Sequence, residues 1–327
     1  MIRRLARFLV PTLSGAEVSP EARELLRDLR LRHLIFFSWH FEDPQGFWIL
    51  REELRGLGLG PPQGLFMVDQ EGGRVQRIRL PLFPEFPSPY EIAQKGPEEM
   101  SRVSREIARG LKNLGINVNL APVVDLAGAE APDWLRERTL GEDPQKVGGL
   151  AEIFIREHLR EGVLPCAKHF PGLGGVLPDP HRELPYKRAP SEEELGVFKQ
   201  VVEAGVPLIM TTHLVVETWS TEPATFTERA VKALREELGF EGLILTDDLA
   251  MGALAEWEPA ERLLQVLLSG HDLWLVSGEV TRWVEPLEEL SREVSTSRVL
   301  RERLAALERH QETFFQALLL GVPCKTQ

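Results

Sequence analysis

The chain has 327 residues with a formal net charge of −12, a balance that argues against nucleic acid or an anionic membrane as its main partner. With 43% hydrophobic residues it can fill one large core, and α/β barrels of this length commonly form a single domain. Two cysteines argue against a disulfide framework, and no apolar run reaches membrane-spanning length, so we expect a cytoplasmic protein.

Short apolar segments recur along the chain, with amphipathic stretches of helical periodicity between them. The first lies in the arginine-containing N-terminus, which has to be weighed against a signal peptide. Arg7 interrupts that apolar run and no small-residue cleavage site clearly follows, which favours a strand. The predicted strands cover residues 6–13, 33–38, 65–69, 117–125, 163–169, 207–213, 242–247 and 272–277. Predicted helices cover residues 19–31, 97–114, 144–161, 191–203, 227–238 and 259–268.

The alternation of strands and helices predicts the fold. Near-continuous apolar strands indicate a parallel sheet that is buried on both faces. Eight such units favour a closed (β/α)8 TIM barrel over an open doubly wound sheet, because the first unit has no glycine-rich dinucleotide loop. No linker, repeat or low-complexity segment marks a second domain. We therefore expect residues 1–327 to form one barrel domain, with helices at about 295–320 packed outside it.

Five of the predicted strands end in polar residues, and these ends should meet on one rim of the barrel. Active sites of this fold lie at the carboxyl ends of the strands. One or two polar strand ends could simply cap the following loop, but five on one rim favour a catalytic site. The five ends are Asp69, Asp125, Lys168-His169, His213 and Asp247.

Charged residues after the third and fourth strands have two interpretations. The carboxylate of Asp69 could accept hydrogen bonds from sugar hydroxyls while the guanidinium of a nearby arginine, Arg74 or Arg77, donates them, a combination that binds a polyol. The same two groups could equally form an ion pair that only holds the loop. Arg138, after the fourth strand, would on its own be assigned to the solvated surface.

Acidic residues near the fifth and seventh strands are the candidate catalytic groups. Asp247 and Asp248 are adjacent, so strand alternation sends their side chains in opposite directions. One is a candidate nucleophile or electrostatic stabiliser, and the other caps the next helix or braces the loop. In the glycine-rich loop after the fifth strand, Asp179 and His181 are two residues apart, which lets the acid orient the imidazole.

A metal centre is the competing explanation for so many histidines and acids. The sequence has neither a His-x-x-x-His nor a His-x-His pair, and Lys168 next to His169 would repel a cation. We therefore predict no metal and no other cofactor.

Five motifs have an order and spacing that together are highly specific. They are Asp69-Gln70-Glu71-Gly72-Gly73-Arg74, Asn117-Val118-Asn119-Leu120-Ala121-Pro122-Val123-Val124-Asp125, Lys168-His169-Phe170-Pro171-Gly172, Asp179-Pro180-His181 and Thr246-Asp247-Asp248-Leu249. On these motifs the chain resembles glycoside hydrolase family 3 over nearly its whole length. More narrowly, it resembles the single-domain bacterial β-N-acetylglucosaminidases that recycle cell-wall fragments.

The resemblance implies an activity and a role for each matching residue. It implies a retaining exo-glycosidase that removes terminal β-linked N-acetylglucosamine from a small carbohydrate substrate and needs no cofactor. Asp247 matches the family's nucleophile, and His181 with Asp179 matches a histidine–aspartate acid/base dyad. The residues that match positions at or near the terminal sugar are Asp69, Arg77, Arg138, Lys168, His169 and His213.

The chain also departs from the family pattern. Leu173 stands where a second histidine is common, Thr139-Leu140 replaces Ser-Phe, and the loop at 174–178 has a sequence of its own. The alternatives of a phosphorylase, a β-glucosidase and a non-catalytic sugar-binding protein stay open at this point, as does the oligomeric state.

The fifth strand and its loop carry two conformational predictions. Lys168 and His169 are adjacent, yet the resemblance puts both on the sugar, so we predict an irregular backbone over residues 168–171, either a bulge or a cis peptide. The glycines of the loop at 172–181 predict a mobile segment that brings His181 to Asp247 when sugar binds.

Overall fold

A closed ring of parallel strands forms the centre of the molecule. The computed structural model describes residues 1–128, 131–176 and 183–321. Within these residues, eight strands form the ring. They are β1 (Leu9–Thr12), β2 (Leu34–Phe36), β3 (Phe66–Val68), β4 (Val118–Asn119), β5 (Leu164–Phe170), β6 (Leu208–Thr211), β7 (Leu243–Thr246) and β8 (Trp274–Glu279).

The pairing of the strands confirms the predicted (β/α)8 TIM barrel. Strands β2 to β7 lie side by side in chain order, and every pair among them is parallel. Strand β8 joins β7 through a parallel bridge between Leu245 and Leu273 and pairs in parallel with β1. Because β1 also lies against β2, the ring is closed, and all eight carboxyl ends lie on the same rim.

Helices surround the ring, and several begin at a proline that follows a side-chain cap. Ser19, Asp43, Ser88 and Asp143 each accept a hydrogen bond from a backbone N–H of the first turn that would otherwise lack a partner. The helices are α1 (Ile2–Ala6), α2 (Pro20–Leu29), α3 (Pro44–Gly56), α4 (Pro89–Lys95), α5 (Pro97–Asn113), α6 (Asp133–Arg136), α7 (Pro144–Glu161), α8 (Glu192–Glu203), α9 (Glu228–Lys232), α10 (Pro259–Ser269), α11 (Val284–Thr296) and α12 (Arg298–Leu320). In the described part of the chain, no helix combines the length and apolar character needed to cross a membrane.

Alternate strand residues divide the core into two layers. Leu9 packs outward against the helices, while its neighbour Val10 packs into the barrel interior with Ile35 of β2. The C-terminal part of α12 adds Phe314 and Phe315 to this interior layer. It therefore closes the end of the barrel that is opposite to the polar rim.

The predicted strand at residues 117–125 is regular only over β4. Pro122 has no N–H to donate to a strand ladder, so regular pairing cannot run through it. The chain nevertheless stays beside β5, because the N–H of Lys168 donates to the Pro122 carbonyl and the N–H of Val124 donates to the Lys168 carbonyl. This irregular path carries Asp125 to the rim.

Candidate active site

A cavity of about 350 Å³ opens at the rim formed by the carboxyl ends of the strands. A volume in this range is typical of a small-molecule site. Six of the residues predicted from the sequence line it: Asp69, Arg77, Arg138, Lys168, His169 and Asp247.

One wall of this cavity is a cluster of buried charges. The Nζ atom of Lys168, whose side chain is only 2% exposed, lies 2.8 Å from Oδ1 of Asp69 and 2.7 Å from Oε1 of Glu71. Arg138 donates two parallel hydrogen bonds of 2.9 Å to the two carboxylate oxygens of Glu71. This bidentate geometry fixes the guanidinium plane, so Arg138 is a buried component of the cavity wall and not a solvated surface residue.

The cluster stays ionised because opposite charges outweigh the cost of burial. Burial alone would raise the pKa of Asp69, but the charges of Lys168 and Arg77 hold that pKa well below its ordinary range. Burial opposes ionisation of Glu71 in the same way, yet Arg138 and Lys168 lower its pKa to about 2. The pKa of Lys168 is raised, because its two carboxylate partners overcome the effect of desolvation.

His169 is held in a fixed orientation beside this cluster. Its Nδ1 lies 2.7 Å from Oδ2 of Asp125, and the Nδ1–H donates a hydrogen bond to that carboxylate oxygen. The Nε2 atom is 3.5 Å from Nη2 of Arg138. Asp125 also accepts a 2.7 Å hydrogen bond from the N–H of Leu173 through Oδ1, so one buried carboxylate holds both the imidazole and the start of the following loop.

The backbone between the two sugar-binding candidates of β5 is irregular, as predicted. The Lys168–His169 peptide bond is cis, and the pairing of β5 with β6 shifts register between Ala167 and Phe170. The side chains of Lys168 and His169 both line the cavity. This prediction from the sequence is therefore confirmed.

Arg77 contacts both the cluster and an aromatic ring. Its Nη2 lies 3.6 Å from Oδ2 of Asp69, and its guanidinium lies over the Phe37 ring at 5.5 Å from the centroid. Its Nε is buried and has no hydrogen-bond partner among the described residues. Arg77 and Asp69 thus form an ion pair, and both residues line the cavity.

The two adjacent acids after β7 differ in their contacts. Asp247 donates its N–H to the Thr211 carbonyl at 3.0 Å, and its Oδ1 accepts the N–H of Asp248 at 2.8 Å. The carboxylate of Asp248 accepts backbone N–H groups of Ala250 at 3.0 Å and Ser277 at 2.9 Å. Asp248 therefore braces the loop between β7 and β8, and burial raises its pKa.

His213 occupies a different place from the other predicted sugar contacts. Its side chain is buried, and it is not one of the residues that line the cavity. Its Nδ1 lies 2.9 Å from Oγ1 of Thr225, and its Nε2 donates to the Asp248 carbonyl at 2.9 Å. Burial lowers its pKa. The structure thus gives His213 contacts that hold the backbone after Asp247. Its predicted contact with sugar stays a prediction.

The predicted acid/base dyad of Asp179 and His181 lies within residues 177–182, outside the described residues. Leu173, which stands where the family commonly has a second histidine, lies within the described residues. Leu173 is 2% exposed and packs with Leu135 and Leu214 in an apolar cluster under the loop, a position that suits leucine.

Sequence reasoning did not assign roles to Glu71 and Asp125. Glu71 is only two residues from Asp69 and lies in the same motif, and Asp125 ends the fourth predicted strand. Acidic residues at strand ends were thus the available signal. Their partners come from elsewhere in the chain, Arg138 from the turn after α6 and His169 from β5, so the pairings themselves required the structure.

A parallel barrel with a charged cavity at the carboxyl rim defines the chain as a member of the TIM-barrel enzyme class. The profile of the glycosyl hydrolase family 3 N-terminal domain matches residues 4–311. The chain belongs to glycoside hydrolase family 3, and it is therefore a glycosidase.

Individual relatives agree with this assignment. A beta-hexosaminidase from Vibrio cholerae is 34% identical over 283 residues, covering 85% of this chain and 84% of the relative. A beta-hexosaminidase from Thiobacillus denitrificans is 32% identical over 314 residues, covering 92% of this chain and 86% of the relative.

A solved structure also resembles the whole chain. The family 3 beta-N-acetylglucosaminidase from a Paenibacillus species superposes with a TM-score of 0.88 at 26% identity. The superposition covers 100% of this chain, and the chain spans 64% of the length of the Paenibacillus protein.

Proposed function

We propose that this chain is a retaining, exo-acting β-N-acetylglucosaminidase. The observation that carries the proposal is the position of Asp247, which shares one cavity with the charged cluster of Asp69, Lys168 and Arg138. The names of the relatives from Vibrio cholerae and Thiobacillus denitrificans support a hexosaminidase in particular.

The charged cluster supplies the contacts with the terminal sugar. Asp69 accepts hydrogen bonds from hydroxyl groups, Lys168 and Arg138 donate them, and His169 presents its Nε2 to the sugar from a fixed position. Arg77 contributes its guanidinium, since this residue lines the same cavity. The buried ion pairs with Glu71 keep these donors in place before the sugar binds, which reduces the entropy that binding costs.

Asp247 is the nucleophile in this proposal. Its carboxylate attacks the anomeric carbon through an oxocarbenium-like transition state and forms a covalent glycosyl-enzyme intermediate. His181 protonates the leaving oxygen and later deprotonates the attacking water, and Asp179 holds the imidazole in the required tautomer. An imidazole suits both steps, because its ordinary pKa of about 6.5 is close to neutral pH.

The natural context follows from the same assignment. We propose that the substrate is a fragment of cell-wall peptidoglycan that carries a terminal N-acetylglucosamine, that the reaction takes place in the cytoplasm, and that residues 1–327 act as one catalytic domain. We also propose that the reaction uses neither a metal nor another cofactor.

A chromogenic assay tests this function. The enzyme should hydrolyse 4-nitrophenyl β-N-acetylglucosaminide and should cleave the corresponding β-glucoside much more slowly, at the same rate with and without phosphate. Formation of a sugar 1-phosphate that depends on phosphate would identify a phosphorylase. Faster cleavage of the glucoside would identify a β-glucosidase, and no turnover of either would favour a sugar-binding protein.

A further inference from the structure

Lys187 connects two segments on either side of the loop that follows β5. Its Nζ donates to the Gly174 carbonyl at 3.0 Å and lies 3.5 Å from the Gly172 carbonyl. The same Nζ lies 2.5 and 2.6 Å from the two carboxylate oxygens of Glu194. One ammonium group therefore links the start of the loop, the end of the loop and helix α8.

Glu194 is a rigid partner for this lysine. Its side chain is 5% exposed, and the side chain of Lys187 is 17% exposed. Glu194 forms a capping box with Ser191, accepting the Ser191 N–H at 2.9 Å and donating its own N–H to the Ser191 hydroxyl at 3.1 Å. Burial and the capping box together fix the carboxylate under the loop.

Glycine at position 172 makes this close approach feasible. A Cβ there would lie 2.5 Å from Oε1 of Glu194, a distance that real side chains do not reach. The φ of Gly172 is +124°, in the region that favours glycine. The loop therefore passes directly over Glu194.

Each end of the loop is also held by its own backbone contacts. At the first end, the N–H of Leu173 donates to Asp125, and at the second end Tyr186–Lys187 pairs with Val215–Val216 of the neighbouring segment. Lys187 adds a direct bond between the two ends. The sequence between Gly174 and Lys187 contains Asp179 and His181.

We infer that Lys187 and Glu194 are positioning residues for the acid/base dyad, because their ion pair fixes both ends of the loop that carries it. This inference rests on the proposed function. Neither side chain contacts the sugar in this account; they set where the dyad stands relative to Asp247. A misplacement of about 1 Å can lower a rate by about 10²-fold, so loss of this bond should reduce proton transfer to the leaving group.

The test compares leaving groups in variants that lack the bond. Lys187→Met keeps an unbranched side chain without the donor, and Glu194→Gln keeps the capping oxygen without the charge. Lys199→Met is the matched control, because Lys199 lies exposed on the same helix. For each variant, kcat/KM, which reports the first bond cleavage, is measured with two substrates. The 2,4-dinitrophenyl N-acetylglucosaminide needs little protonation of its leaving group, and chitobiose needs much.

We expect Lys187→Met to lower kcat/KM for chitobiose by about 10-fold to 10²-fold more than kcat/KM for the dinitrophenyl substrate. Glu194→Gln should have the same selectivity with a smaller effect, and Lys199→Met should match the wild type on both. Thermal unfolding is measured for each variant, and the assays are run well below the lowest midpoint. Loss of stability alone would lower both activities by the same factor, so equal losses would contradict the inference.

His181→Ala separates a failure of this inference from a failure of the proposed function. If His181→Ala is selective for poor leaving groups but Lys187→Met is not, the positioning role is wrong and the acid role of His181 stands. If His181→Ala itself lacks this selectivity, the proposed acid/base dyad is wrong and the inference falls with it.

Discussion

Glu71 is buried beside Asp69, and it holds two cations of the cavity wall, Arg138 and Lys168. Such a pair adds little net stability while it is intact, because desolvation offsets the attraction between the charges. Removing one partner is costly, since it leaves the other charge buried without compensation. At the residue scale, the arrangement of the site therefore depends on a carboxylate that is not itself assigned to the sugar.

Glu71→Gln should destabilise the protein by about 3–5 kcal/mol, because it leaves Arg138 and Lys168 with too little negative charge. It should also raise KM, since both cations lose their fixed positions. Urea unfolding measures the first effect and chromogenic kinetics the second. The control is Glu106→Gln, on the exposed face of α5, for which we expect a change within about 0.5 kcal/mol.

The same residue predicts a pH dependence of stability. The pKa of Glu71 is lowered from 4.5 to about 2 in the folded protein, so its contribution is fully present above pH 4.5 and is lost as the pH falls toward 2. The shift corresponds to about 3 kcal/mol. Urea unfolding at pH 6, 4 and 2.5 should show this loss in the wild type. In Glu71→Gln the decline should be smaller by a similar amount, and an identical decline in both proteins would contradict the assignment.

Asp247 and Asp248 should behave differently when each is replaced by alanine. Asp247→Ala removes the proposed nucleophile and should lower kcat by at least about 10³-fold with little change in stability. Asp248→Ala removes acceptors for the N–H groups of Ala250 and Ser277, so it should lower stability while retaining more of the activity. The reverse pattern would assign the nucleophile to Asp248.

At the scale of elements, the apolar runs predicted where the strands lie but not how many residues of each are regularly hydrogen-bonded to a neighbouring strand. The predicted strand at 117–125 narrows to Val118–Asn119, because Pro122 interrupts the ladder. The predicted helix at 227–238 begins as the α-helix α9 and continues as a π-helix over Ala233–Glu237. Hydrophobic periodicity reports which face is buried, and the details of hydrogen bonding depend on partners that are distant in sequence.

Helix α12 makes a prediction of its own, since it closes one end of the barrel. Phe314, which is 3% exposed, packs in the interior layer, and the side chain of Gln311 donates to the Asp272 carbonyl at 2.7 Å. Phe314→Ala should therefore cost about 3–5 kcal/mol. Leu320→Ala, in the same helix but 77% exposed, should change stability by less than about 0.5 kcal/mol. Equal effects in urea unfolding would show that α12 does not pack as described.

At the scale of the whole molecule, the sequence predicted the barrel and six of the residues that line the cavity at its rim. Six predicted residues meet in one cavity because parallel strands bring their carboxyl ends together. The direction of each side chain could not be predicted in the same way. His213 ends a strand as Asp69 does, yet it binds the backbone after Asp247, and only the packing of β6 against β7 decides this.

The central claim is that Asp247 forms a covalent bond to the sugar during the reaction. The most direct test is to trap that intermediate with a 5-fluoro-N-acetylglucosaminyl fluoride, because the fluorinated glycosyl-enzyme is hydrolysed slowly. The label is then located by mass spectrometry after peptic digestion. Our account predicts one sugar per chain, attached to Asp247 and absent from Asp247→Asn. A label on another residue, or turnover of the reagent without any covalent adduct, would contradict it.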